Sequence, residues 1–216
     1  MDKEYLKKGG MLSVRKHLEN AEKVVKEKRD FMTGKKDELG EDLKNPKNEI
    51  DQIMMLVKES EKHASPEIGK LLLALEVDTR TLSESIEEEA KLVDELEKDA
   101  KGTTEREILK EVEEELEFAV HLEHQINLLV SIQKLSADII NKVNKEVEDK
   151  KWKERACNNL VNLNNIAAYL LTIINDKEVP HLKSAYATLQ LTEITDAQEN
   201  LSKIRASFEN LQPNIL

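Results

Sequence analysis

Two histidines and a glutamate at helical spacing are the residues of this chain best suited to holding a metal. His121 and His124 lie three residues apart, and Glu117 precedes His121 by four. On a helix these intervals place the three side chains along one strip. Imidazole nitrogen and carboxylate oxygen are both ligands of zinc and iron. The spacing therefore gives Glu117, His121 and His124 as a candidate metal site.

The rest of the sequence does not complete such a site. A carboxylate-bridged di-metal centre in a helical bundle needs Glu-x-x-His on two helices and a further Glu on two others. Among the histidines only His181 follows a glutamate at that spacing, and Pro180 stands between them. An ordinary i,i+4 pair of Glu117 and His121 explains the strip more simply. We expect no metal and no other cofactor, and keep metal binding as an alternative.

Catalytic motifs are weak elsewhere. Cys157 has Lys153 and Arg155 nearby, which could lower the pKa of a thiol, but it also lies beside an apolar stripe typical of a helix core. The sequence contains neither a Gly-rich phosphate loop nor a Gly-x-Ser-x-Gly motif. These observations favour a non-enzymatic protein over an enzyme.

The composition predicts an all-α protein. The 216 residues are 36% charged and 39% hydrophobic, with 3% aromatic residues, six glycines and four prolines. Straight-chain helix formers therefore dominate, and strand formers are scarce. No apolar run approaches the roughly 20 residues that span a bilayer, and the single cysteine cannot form an internal disulfide. We expect a cytoplasmic protein without a transmembrane segment.

The net charge of −11 is unevenly distributed. Residues 1–36 carry 11 Lys or Arg against 6 Asp or Glu, whereas residues 76–123 carry 6 against 18. The acidic middle would repel a phosphate backbone or an anionic membrane. Contact with nucleic acid or a membrane is therefore an alternative function for the basic N-terminal helix alone.

Proline and glycine residues divide the chain into helices. A first helix is predicted over residues 11–32, a second from Pro46, and a third from Ser65-Pro66, where a capping hydroxyl precedes a proline. We predict an N-terminal basic helix and linker over residues 1–45 and a helical bundle over 46–216. A single domain over 1–216 is the alternative.

Two apolar stripes predict a long helical hairpin. Apolar residues recur at alternating intervals of four and three between Ile68 and Ala100, and again between Leu109 and Val147. The short connection around Gly102 forces the two helices to run antiparallel. The predicted fold is an elongated bundle of about six helices, built around a coiled-coil-like hairpin of residues 66–100 and 104–147.

The hairpin helix is predicted to break near the only tryptophan. The phase of the apolar stripe changes after Val147, which places a break within residues 148–155. Trp152 is expected to pack over this junction, with contact to a partner or a membrane as the alternative. Helical patterns resume after Pro180 and end near residue 210.

Polar residues on the apolar stripes predict specific contacts. For a tight turn near residue 102, Glu123 faces Arg80 and Glu89 faces Glu114. We predict an ion pair between Glu123 and Arg80, and we expect Glu89 to face another helix, a partner chain or water. Polar residues at such positions can set register or partner choice.

Together these patterns predict a non-enzymatic helical scaffold, adaptor or assembly subunit. It would act through protein–protein contacts, including self-association, and the candidate contact residues are Arg80, Glu89, Glu123 and Trp152. The alternatives are metal binding through His121 and His124, and the membrane or nucleic-acid contact of the basic N-terminal helix.

Overall fold

The computed structural model describes residues 19–34, 46–99 and 105–182, with side-chain surroundings for 19–34, 47–95 and 121–182. Within these residues the chain is a multi-helix bundle without strands, which confirms the predicted all-α fold. The elements are α1 (19–32), α2 (Pro46–His63), α3 (Pro66–Asp99), α4 (Glu105–Glu146), α5 (Lys150–Ile173), a π-helical turn (Ile174–Glu178) and a helical end to residue 182.

The start of α3 is the predicted one. The Ser65 hydroxyl accepts a hydrogen bond from the backbone N–H of Ile68 at 3.5 Å, and the Ser65 carbonyl accepts one from Gly69 at 3.1 Å. Gly69 also lets α2 approach α3 closely, because a Cβ atom at this position would lie 3.2 Å from the Ser60 hydroxyl. The cap and the small residue together fix a tight turn between the two helices.

The predicted break after α4 lies at residues 147–149, at the start of the expected window. Asp149 begins the next helix, because its Oδ1 accepts hydrogen bonds from the backbone N–H groups of Lys151 and Trp152, at 3.0 and 3.1 Å. These bonds satisfy backbone donors that the first turn of a helix leaves without carbonyl partners.

Pro180 does not interrupt the helix, contrary to the expectation that helical structure resumes after it. A proline ring clashes with the carbonyl four residues earlier in a regular α-helix. Here the preceding turn is π-helical, and the N–H of Val179 donates to Ile174 O, five residues back. This wider turn accommodates the ring. The final predicted helix lies outside the described residues.

The described helices divide into two compact units. The first comprises residues 19–27, 86–124 and 172–182, and its core includes Val25, Ala90 and Val93 with Leu92 packed against them. The second comprises Lys28–Ser85 and Gln125–Leu171. Fully buried residues of its core include Ile53, Leu56, Leu72, Leu75, Leu129, Ile132, Ile139 and Leu160. The predicted domain boundary at residue 45 lies outside the described residues.

In the second unit, α3 and α4 run antiparallel. As the position along α3 rises, its contact in α4 falls, through the pairs Glu67–Lys142 (2.8 Å), Asp78–Ser131 (2.6 Å) and Ser85–Gln125 (3.3 Å). The connection between these helices lies outside the described residues. The coiled-coil character of the hairpin and the elongated shape of the bundle therefore stay predictions.

The register of α3 against α4 differs from the predicted one. Arg80 lies between Asp78 and Ser85, so its level in α4 falls between Ser131 and Gln125. The prediction that set Arg80 level with Glu123 is wrong by about two helical turns. Arg80 instead forms an ion pair with Glu76, one turn earlier on its own helix.

In the second unit, α2 and α5 also pack against each other and run antiparallel. Glu59 forms an ion pair with Arg155, and further along the pair the Asn162 amide donates to Glu49 Oε1 at 3.3 Å. At the end of α1, the rings of Phe31 and Tyr169 pack 4.6 Å apart. These side-chain contacts hold α1 and α2 against α5.

Candidate interaction surfaces

The structure describes two of the three side chains of the predicted metal site. His121 is half-buried and His124 is exposed on α4, whereas the side chain of Glu117 lies outside the described ones. Among the described residues, no group of three or more His, Cys, Asp or Glu side chains is placed to hold a metal ion. In the described part of α4, His121 and His124 therefore do not belong to a cluster of three metal ligands.

Cys157 is partly buried on α5. Its Sγ lies 3.9 Å from Asn144 Oδ1, and burial raises the pKa of the Cys157 thiol, while the Lys153 ammonium opposes this rise. A thiol with a raised pKa is mostly protonated at neutral pH and is a poor nucleophile. The surroundings of Cys157 favour a packing role over catalysis.

Trp152 packs over the helix junction. It is 2% exposed, and its indole stacks on the imidazole of His63 with ring centroids 6.0 Å apart. His63 Nδ1 also lies 3.0 Å from Asp149 Oδ2. The end of α2 is thereby joined to the start of α5, which leaves Trp152 little surface to offer a partner.

Asp149 holds this junction electrostatically. The backbone N–H of Trp152 is the main cause that lowers the pKa of the Asp149 carboxyl, followed by that of Lys151 and the charge of His63, while desolvation raises it. Each of these groups interacts better with the carboxylate than with the neutral acid. In the sequence, the signal for this capping role is an aspartate directly before the start of a helix.

A buried chain of polar groups crosses the second unit. Lys28 is fully buried, and its ammonium donates to Gln125 Oε1 at 3.1 Å, while the Gln125 amide donates to Ser85 Oγ at 3.3 Å. Lysine is rarely fully buried unless it is paired. The sequence reasoning missed Lys28, although position 28 falls on the apolar stripe between Val25 and Met32.

Two other polar residues of the apolar stripes, Thr79 and Glu89, are also buried. Glu89 is fully buried in the first unit, which excludes the expectation that it faces water. Thr79 is buried and its hydroxyl donates to Leu75 O at 2.7 Å. Glu123 is half-buried on α4. Thr79 and Glu89 therefore serve internal packing, whereas Asn144, on the stripe of α4, is exposed.

Several large apolar side chains point outward instead. Leu73 and Val77 on α3, Met55 on α2, Val130 on α4 and Val161 on α5 are all exposed. Val130 lies on the predicted apolar stripe of α4, so the expectation that it is part of the core is wrong. Sequence reasoning missed the other four positions because they lie off the stripes that predict the core, and an apolar residue off its stripe is the signal that could have found them.

The described surface also has two open grooves. One, of about 370 Å³, lies between α2 and α5 and is lined by Gln52, Lys151, Glu154, Arg155, Asn158 and Asn159. The other, of about 480 Å³, lies in the first unit beside the ion pair of Lys177 and Glu27. Both are broad, and each carries charges of both signs along its wall.

No family model, curated protein or solved structure matches this chain. None of the helices in the described part of the chain is long and apolar enough to cross a membrane.

Proposed function

We propose that this protein is a non-enzymatic helical scaffold or assembly subunit that binds other proteins through the outer faces of its helices. An exposed apolar pair on α3 carries this proposal. Leu73 and Val77 lie one turn apart and are 52% and 49% exposed, and Ala74 between them is exposed too. Adjacent apolar side chains on an exposed helix face support a binding surface.

The charges around this pair indicate the chemistry of its partner. Lys70 precedes Leu73 by three residues, and Arg80 follows Val77 by three, so both lie on the same side of α3. Both are exposed, and the side chain of Arg80 remains 60% exposed in its ion pair with Glu76. An apolar surface with a cation at each end suits an amphipathic helix that carries acidic residues beside its apolar stripe.

Comparative purification from the protein's own cells tests the proposal. Tagged full-length wild type, Val77→Glu and Met55→Glu would be isolated in parallel, and the proteins retained with each would be quantified. Met55→Glu is the control, because it introduces the same charge at an apolar residue of similar exposure, 55%, on a different helix.

We expect a partner that wild type and Met55→Glu retain and that Val77→Glu loses. Its affinity for purified Val77→Glu should fall at least about tenfold, because a carboxylate would then be buried in the apolar contact. Identical sets of retained proteins for all three chains would refute a partner surface on α3.

A further inference from the structure

The outer side of α5 lacks the charges that cover the rest of the bundle. No residue from Ala156 to Asn175 is charged, in a chain that is 36% charged. The exposed positions of this run in the second unit are Asn158, Val161, Asn165 and Ala168. The exposed face of α2, by contrast, includes Lys47, Asp51, Lys58, Glu61 and Lys62. Loss of charge from an exposed face is typical of the centre of a protein interface.

Helix α4 extends this uncharged surface. Lys153 Nζ donates to Asn144 O at 2.6 Å, which sets the antiparallel register of α4 and α5. Ala137 lies two turns before Asn144 on α4, and Val161 lies about two turns after Lys153 on α5, so Ala137 and Val161 are level. A further two turns along each helix, Val130 is level with Ala168. All four are exposed. We call the combined surface the neutral face; it comprises Val130, Ala137, Asn158, Val161, Asn165 and Ala168.

Charged residues of α4 lie to one side of the neutral face. Lys134 and Asp138 are exposed on the side of α4 that carries Ser131, which bonds to Asp78 of α3. Lys134 also lies one turn from both Val130 and Ala137, so it forms the charged edge of the face on α4. Lys153 and Glu154 mark one end of the face on α5. The neutral face is thus an uncharged strip with a charged border, the arrangement of an interface centre and its rim.

We propose that a second copy of this chain binds the neutral face, with the two α5 helices packed antiparallel about a twofold axis. This inference rests on the proposed function, since it names one partner of an assembly subunit. Each chain has a net charge of −11, so contact between two acidic surfaces would place like charges close together, whereas contact through the neutral face adds none at the interface. Asparagine amides, which both donate and accept hydrogen bonds, can pair with the same amides of an identical face.

The spacing along α5 defines the layers of this dimer. Asn158, Val161, Asn165 and Ala168 follow one another at intervals of three, four and three, the spacing of a two-helix contact. In an antiparallel pair, Val161 is level with the partner's Asn165, and Asn158 is level with the partner's Ala168. Val130 and Ala137 of α4 widen the contact beside α5.

Sedimentation velocity over a range of protein concentrations tests the dimer. Wild type should shift from monomer to dimer as the concentration rises. Val161→Glu should remain monomeric, because it buries a carboxylate close to the twofold axis, and Val77→Glu should dimerise like wild type. The far-UV circular dichroism of both variants should match that of wild type, because both positions are exposed.

A mixing experiment tests the antiparallel register. Asn165→Lys should be monomeric alone, like Val161→Glu. The two variants mixed should form a dimer, because the new glutamate then lies level with the partner's new lysine. A wild type that stays monomeric throughout, or a Val161→Glu chain that dimerises like wild type, would overturn the proposal. A mixture that stays monomeric would overturn the antiparallel packing.

The two proposals fail in different ways. If the α5 dimer does not exist, wild type is monomeric while Val77→Glu still loses its partner protein. If the α3 surface binds nothing, wild type and Val77→Glu retain the same proteins while Val161→Glu alone loses the dimer.

Discussion

Replacing Ser136 by alanine should stabilise this protein. Ser136 is fully buried on α4, and its hydroxyl has no hydrogen-bond partner in the structure. A buried hydroxyl without a partner costs about 1–3 kcal/mol of folding free energy. Alanine removes this cost and also raises helix propensity by about 0.5 kcal/mol.

Loss of one oxygen atom offsets part of the gain. The space left at position 136 is smaller than a methyl group, so its cost is on the order of a few tenths of a kcal/mol. The free energy of unfolding of Ser136→Ala should therefore rise by about 1–3 kcal/mol. For a chain of this size, each kcal/mol corresponds to a rise in Tm of about 2–4 °C.

Ser131→Ala is the matched control, on the same helix and with the same atoms removed. The Ser131 hydroxyl is bonded to Asp78 Oδ2 at 2.6 Å, so its removal deletes a real contact between α3 and α4. This contact is worth about 1 kcal/mol, and the gain in helix propensity returns about half of it. Ser131→Ala should therefore destabilise the protein slightly, whereas Ser136→Ala stabilises it.

Urea unfolding followed by far-UV circular dichroism, at one protein concentration for all chains, measures both changes. The helix-propensity gain is common to both variants and cancels in their difference, which should be about 2–4 kcal/mol. A Ser136→Ala chain less stable than wild type would refute the reasoning, since it would mean that the hydroxyl is hydrogen-bonded in the folded protein.

Three further changes test the environments of single side chains. Asp149→Ala should lower Tm at neutral pH. The folded chain holds the pKa of Asp149 below its ordinary value of 3.8, so the stabilisation by its carboxylate is complete above that value and is lost as pH falls through the folded pKa. The melting curves of variant and wild type should therefore converge in acid. Cys157 should react with iodoacetamide only at higher pH than free cysteine, and Lys153→Met should move the midpoint of the rate profile higher still, because it removes the charge that opposes the raised pKa. Gln125→Leu should lower the free energy of unfolding by about 1–3 kcal/mol in urea, because it takes a buried partner from Lys28.

The sequence by itself determined the helices and where several of them begin. Pro46, the Ser65-Pro66 start and the change of stripe phase after Val147 each act through neighbouring backbone atoms. A proline ring or a capping hydroxyl has the same local effect wherever the helix later packs. The buried faces of α3 and α5 could be predicted for a similar reason, since the spacing of apolar residues already fixes which side of a helix must leave water. On α4 the predicted stripe was wrong in part: Val130 and Ala137 are exposed, whereas Leu129 and Ile139 are buried.

Only the tertiary structure decided which residues of two helices meet. The error in the register of α3 against α4 was about two turns, the length of one heptad. A stripe that repeats every heptad matches its neighbour almost equally well after such a shift, so apolar spacing cannot separate the two registers. Contacts such as Asp78 with Ser131 do separate them, and no local pattern reveals those pairs.

The same limit applies to the candidate interaction surfaces. The charge-free run of α5 is visible in the sequence, but only the packed bundle shows that Val161 and Asn165 face outward while Leu160 and Leu163 are buried. Lys28 is the opposite case, a charged residue that the bundle encloses. Spacing shows that residues share a side of a helix, whereas burial depends on which neighbours cover that side.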